Sequence, residues 1–164
     1  MKIRTIMAAA IPLVLAAAGA AAAGHAFGDI STHYEAIRQA LLQGSDAGVS
    51  EHARAIEAIA LRLSTDFSAA AAGVADGDAQ AVREVLPEVI DHARRLAAAT
   101  GVAGARAELA ELTKPLVRYH ALVSGARPIV AYCPMERKSW LQPDGPIGNP
   151  YAPSMLRCGE VVAR

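Results

Sequence analysis

Two cysteines and two methionines stand in soft-ligand pairs near the C-terminus, as Cys133-Pro134-Met135 and Met155-Leu156-Arg157-Cys158. These are the only cysteines of the chain, and its other methionines are Met1 and Met7. Thiolate and thioether are soft donors that select Cu(I) or Ag(I) over Zn(II), Mg(II) or Ca(II). Cys133, Met135, Met155 and Cys158 are therefore candidate metal ligands. A second chemistry is open to the same residues. In an oxidising compartment two cysteines pair as a disulfide, and the methionines then fill gaps in a small core. A redox switch, in which oxidation of the cysteines releases the metal, combines the two.

The compartment follows from the N-terminus. Lys2 and Arg4 precede an uncharged run from Ile6 to Ala23, which ends in small residues before Gly24-His25-Ala26. This is the pattern of a cleaved signal peptide, with cleavage expected after Ala23 and after Ala26 as the alternative. The expected location is the periplasm, with no membrane attachment after cleavage. Loss of Lys2 and Arg4 takes the net charge from 0 to −2. A mildly acidic surface argues against nucleic-acid binding, which needs a basic face.

Four segments between the leader and the tail carry helical periodicity. They run from about Ile30 to Gln43, Glu51 to Ala72, Ala79 to Ala99 and Ala105 to Val123. Ser31 or Asp29 is the expected cap of the first and Ser50 that of the second. Pro87 falls inside the third and should kink it or mark its true beginning, and Pro115 is an irregularity within the fourth. Short loops between such helices predict an all-α fold: an up-down-up-down antiparallel four-helix bundle over 24–124, after a signal peptide at 1–23. From Gly125 the composition changes. Six of the nine prolines follow it, and Ile129-Val130-Ala131-Tyr132 reads as a short β-like run. Residues 125–164 are expected to form a loop-rich unit with room for a small β-hairpin, packed on one end of the bundle.

The sequence Tyr132-Cys133-Pro134-Met135, Ser139-Trp140-Leu141, Ile147-Gly148-Asn149-Pro150-Tyr151, Met155-Leu156-Arg157-Cys158-Gly159-Glu160 resembles the tail of a bacterial periplasmic domain family of undetermined function. That family also occurs attached to copper/silver efflux adaptor proteins. Its tail reads His-Cys-Pro-Met, Trp-Leu, Asn-Pro-Tyr, Met-Leu-x-Cys-Gly. The resemblance implies that Cys133, Met135, Met155 and Cys158 hold a soft metal and that Asn149, Pro150 and Tyr151 shape the loop between them. It implies a role in copper sequestration, or in transfer to an efflux adaptor or copper-delivery partner. Tyr132 stands where the family often has His, so a lost ligand would have to come from elsewhere. His33, on the first helix, and His120, at the end of the fourth, are the candidates, as ligands or as supports behind them; the alternative for each is a partly exposed histidine with a backbone partner. Trp140 either shields a bound cation or anchors a small core. His52 and His92 are expected near the opposite end, as structural residues or a separate weak site.

The sequence carries no Gly-x-Ser-x-Gly, phosphate loop, His-Glu-x-x-His or dinucleotide fingerprint, and no enzyme is expected. Cys-Pro-Met is not the Cys-x-x-Cys of thiol exchange. The alternative function is a metal-free envelope interaction module whose tail is closed by a Cys133–Cys158 disulfide.

Overall fold

The computed structural model describes residues 25–164; the expected signal peptide at 1–23 lies outside them. The described chain is mostly helical, with a small three-stranded antiparallel sheet at its C-terminal end. Helix α1 spans Ala26–Leu42, α2 Val49–Thr65, α3 Ala69–Ala72, α4 Ala79–Ala98 and α5 Gly101–His120. Strands β1 (Ile129–Cys133), β2 (Lys138–Gln142) and β3 (Glu160–Ala163) follow, in the order β2-β1-β3. No described helix is long and apolar enough to cross a membrane.

Helix α1 begins four residues before the expected Ile30. His25, and neither Ser31 nor Asp29, caps it: its Nδ1 accepts from the Gly28 amide at 3.2 Å. The early start places Phe27 on the buried stripe with Ile30, Tyr34, Ile37, Arg38 and Leu41. Ser50 is likewise no cap. Gly48, in the left-handed region at φ 77°, starts α2, and the Ser50 hydroxyl donates to Ala97 O. The expected long second helix stops at Thr65, and Ser68 caps the one-turn α3, accepting from Ala71 N. Helix α5 begins at Gly101, four residues before the expected Ala105. Gly101 takes φ +69° and Gly104 is absorbed into the first turn, at a cost of about 1 kcal/mol relative to Ala. Both α4 and α5 continue through their prolines, Pro87 and Pro115.

The expected apolar stripes are buried except for Phe67, expected at the end of the second, which instead lies beyond α2, half-buried. On α2 they are Ile56, Ile59, Ala60 and Leu63; on α4 they are Val82, Val85, Leu86, Val89, Ala93 and Leu96. Helix α2 packs between α1 and α4, and α4 packs on α5. Between α1 and α5 direct helix contact is thin, and β2 packs against both. The tail therefore shares one continuous core with the helices, to which it contributes Val130, Ala131, Cys133, Trp140, Leu141 and Tyr151.

Polar bonds lock the tail in that position. Arg38 of α1 holds Glu35 through Nε and Nη2, and its Nη1 donates to Gly148 O at 2.7 Å. A Cβ at Gly148 would lie 2.6 Å from that same nitrogen, so the residue must be small. Arg106 of α5 donates to Pro150 O at 2.8 Å and to Leu41 O, which also accepts from Gly44 N at the end of α1, at 2.9 Å. Tyr34 of α1 donates to the Thr113 hydroxyl of α5 at 2.6 Å, and the Tyr151 hydroxyl of the tail lies 3.2 Å from Thr113 Oγ1. Thr113 donates to Leu109 O, and Tyr151 donates to Ser139 O. Burial raises the pKa of both phenols and keeps them protonated as donors.

Removing a buried hydroxyl while keeping its shape leaves its partners unsatisfied, at about 1–3 kcal/mol. Thr113→Val is expected to lower the unfolding free energy by about that amount in urea denaturation, with secondary structure retained by circular dichroism. A change below about 0.5 kcal/mol, the size of an ordinary surface effect, would show that the network does not tie the tail to the helices.

Candidate functional site

The site is built from the two ends of the tail. Strand β1 delivers Cys133 at its last position, opposite Lys138 of β2, with Ala131 opposite Trp140. The turn between them carries Pro134 to Arg137. It closes with Arg137 N donating to Cys133 O at 2.8 Å, and Arg137 takes the left-handed φ of 55°. Met135 sits on this turn and is 72% exposed.

The other end returns through a loop organised by two side-chain amides. Gln142 Oε1 accepts from Trp140 Nε1 at 2.8 Å and from Gly148 N at 3.1 Å, and its Nε2 donates to Pro146 O. Asn149 Oδ1 accepts from Tyr151 N at 2.9 Å, while Asn149 N donates to Leu156 O. Two tight turns follow, with Met155 N bonded to Ala152 O and Cys158 N to Met155 O. They lift Cys158 beside Cys133. The Cα atoms are 5.6 Å apart and the sulfurs are joined as a disulfide. Strand β3 then pairs with β1 across a bulge at Val130/Ala131.

The structure thus brings Cys133 and Cys158 together. Cys133 is fully buried, and Cys158 and the half-buried Met155 lie nearer the surface. Trp140 anchors this small core: its ring lies against Gly159, where a Cβ would approach within 2.5 Å of the indole, and meets Tyr151 edge-on at 6.2 Å. As a disulfide the two sulfurs offer no thiolate, so the donor set fits a soft cation only after both are reduced. Among the described residues no group of three or more His, Cys, Asp or Glu converges as a metal cluster.

The two histidines expected to complete the site are engaged elsewhere. His33 is turned toward α2, where its Nδ1 lies 3.0 Å from Nδ1 of His52. The two rings meet across the α1–α2 seam, so His52 is not at the far end from His33. The half-buried His92 has a ring nitrogen without a protein partner. His120 is buried, and its Nε2 donates to Pro128 O at 2.7 Å, which fixes the chain where it leaves α5 for the sheet. Burial pushes the His120 pKa down, and nearby Arg127 adds to the effect against the opposing pull of the Pro128 carbonyl.

Sequence reasoning missed the residues that position the tail: Tyr34, Arg38, Arg106, Thr113 and Gln142. Tyr34 and Arg38 carried a usable signal, since they fall on the Ile30/Ile37/Leu41 stripe at helical spacing. Compared with family models, curated proteins and solved structures, the chain finds no match.

Two outcomes follow. A crosslink spanning 25 residues restricts the unfolded chain by about 3 kcal/mol on the chain-entropy account. Reduction, or Cys133→Ser/Cys158→Ser, should therefore lower the melting temperature by several degrees, and an unchanged melt would show that the crosslink carries no stability. For His120, a folded pKa below the unfolded value means that the unfolded state binds the proton first as pH falls. Its contribution is whole above about pH 6.5 and is lost below it. Denaturation midpoints should fall between about pH 7.5 and 5.5, with a shallower slope in His120→Gln. Equal slopes would contradict the buried neutral imidazole.

Proposed function

We propose that this chain is an exported, periplasmic soft-metal protein that binds Cu(I) or Ag(I) through Cys133, Met135, Met155 and Cys158 in their reduced form. The role is sequestration, or transfer of the ion to an efflux adaptor or copper-delivery partner. It is binding rather than catalysis. One observation carries the reading: two Cys/Met pairs, separated by 20 residues between Met135 and Met155, are folded so that their cysteines touch. A site with two thiolates and two thioethers selects monovalent coinage metals. The likeness of the tail to the copper-associated family supports the same assignment. The disulfide is the oxidised form of the site. A dithiol reductant returns it to two thiols by two-electron exchange, and a bound cation then displaces their protons. In this reading the four long helices form an up-down-up-down antiparallel bundle whose α1–α5 seam is filled by the tail.

A second reading rests on a different observation. The disulfide is formed, and Met135, Leu156, Val161 and Val162 are exposed on the tail. Those apolar groups suit a metal-free interaction module of an envelope complex.

An anaerobic Cu(I) titration of the reduced protein against a competing chelator separates the two. The first reading expects one tightly held Cu(I) per chain. It expects loss of binding in Cys133→Ser/Cys158→Ser, and weakening by at least about tenfold, or 1.4 kcal/mol, in Met135→Leu/Met155→Leu. Failure of the reduced wild type to compete would leave the interaction module.

A further inference from the structure

A second donor set lies away from the cysteines, on the seam between α1 and α2. His33 and His52, 19 residues apart in sequence, approach Nδ1 to Nδ1 at 3.0 Å, with ring centroids 5.3 Å apart and planes tilted by 43°. Both rings are half-buried, so the helices hold them while solvent reaches them. Gly48, one turn before His52, lies against the other edge of that ring: a Cβ there would sit 3.7 Å from Cδ2 and 3.9 Å from Nε2, which leaves the Nδ1 edge to His33. A groove of about 350 Å³ runs from His33 along the seam, lined by Asp29, Thr32, Ala55, Ala58, Ile59 and Arg62. Asp29 brings a carboxylate one helical turn before His33. Arg62 lies ten residues along α2 from His52, about 15 Å in helical rise, so its charge is based at the other end.

Two neutral imidazole nitrogens facing one another share a proton, or they share a cation. A 3.0 Å separation suits one N–H···N bond, in which one ring must donate and the other accept. It also suits a metal. Two nitrogens at about 2.0–2.1 Å from one ion and 3.0 Å from each other subtend about 95°. A tetrahedral pair would need about 3.3 Å. Paired imidazole nitrogens within this range suit Cu(II), Ni(II) and Zn(II), and Cu(II) heads the affinity order for such donors.

We propose that His33 and His52 form a two-nitrogen binding site for a divalent transition metal, Cu(II) foremost, that bridges α1 and α2. Water fills the remaining positions. The site is separate from the cysteine tail and does not depend on the proposed soft-metal function. It binds the oxidised metal with nitrogen, and it is complete while the disulfide is closed.

The test uses the disulfide-bonded protein and Cu(II) in the presence of glycine as a competing ligand, read by electron paramagnetic resonance and by thermal melting. One Cu(II) per chain is expected, with superhyperfine coupling to two equivalent nitrogens. The melting temperature should rise on binding, because the ion stabilises only the folded pairing. His33→Gln and His52→Gln should each weaken binding at least tenfold and remove the rise. His25→Ala, His92→Ala and Cys133→Ser/Cys158→Ser should bind as the wild type does. The proposal is overturned if the wild type takes up no Cu(II) in competition with glycine, or if His33→Gln/His52→Gln keeps wild-type affinity and nitrogen coupling. Loss of binding in His25→Ala would also overturn it, by moving the site to the cap of α1. Should a glutamine variant fail to fold, the nitrogen count and melting shift of the wild type against His25→Ala still decide the matter.

Discussion

Strand β2 has to lie between α1 and α5, and most of the structure follows from that constraint. The helices are rich in alanine, and each alanine removes little apolar area from water. Direct contact between α1 and α5 rests on Phe27 against Tyr119 and His120, the Tyr34–Thr113 hydroxyls and Arg106 on Leu41 O. The large side chains that complete the core come from the tail: Trp140, Leu141 and Tyr151 are all buried. The C-terminal unit is therefore part of the hydrophobic core, and the helices would expose an apolar seam without it.

Inserting a loop-rich segment into a core raises a polar problem, since its backbone carbonyls leave water. Buried Arg38 and half-buried Arg106 solve it from the helix side. Arg38 supplies a donor to Gly148 O, and Arg106 supplies donors to Pro150 O and to the end of α1. Hydrogen bonds from charged donors are the stronger kind, and here both fall on the segment that precedes Met155 and Cys158. The Tyr34–Thr113–Tyr151 hydroxyls add a third tie. With the loop fixed at three points and β1 fixed by its strand partners, Cys158 arrives beside Cys133. The encounter of the sulfurs is thus a consequence of how the tail is docked.

What could be read from the sequence divides along physical lines. Periodicity places the helices because burial on one face repeats every three or four residues, and the stripes of α2 and α4 are buried as read. The β-like run at Ile129 is strand β1, since β-branched residues mark a strand directly. Helix ends were less legible. A histidine cap at His25, a glycine start at Gly48 and a helix entered through Gly101 each depend on local backbone conformation that residue type only biases. Strand β3 escaped notice because all four residues are exposed and show no alternation. At the candidate site, the pairing of Cys133 with Cys158 follows from the sequence, because the chain holds only these two cysteines. The pairing of His33 with His52 does not: it depends on the rotational setting of α1 against α2, which a shared apolar stripe leaves open by one residue in either direction.

The proposed sulfur site belongs to the tail, and the proposed imidazole pair to the seam between α1 and α2. The central claim is that the tail is folded to present sulfur to a monovalent metal. Copper K-edge absorption of the reduced protein loaded with one Cu(I) tests it most directly. The account predicts a Cu(I) edge with a first shell made only of sulfur, retained through desalting. A first shell of nitrogen or oxygen, or copper lost on desalting, would contradict it.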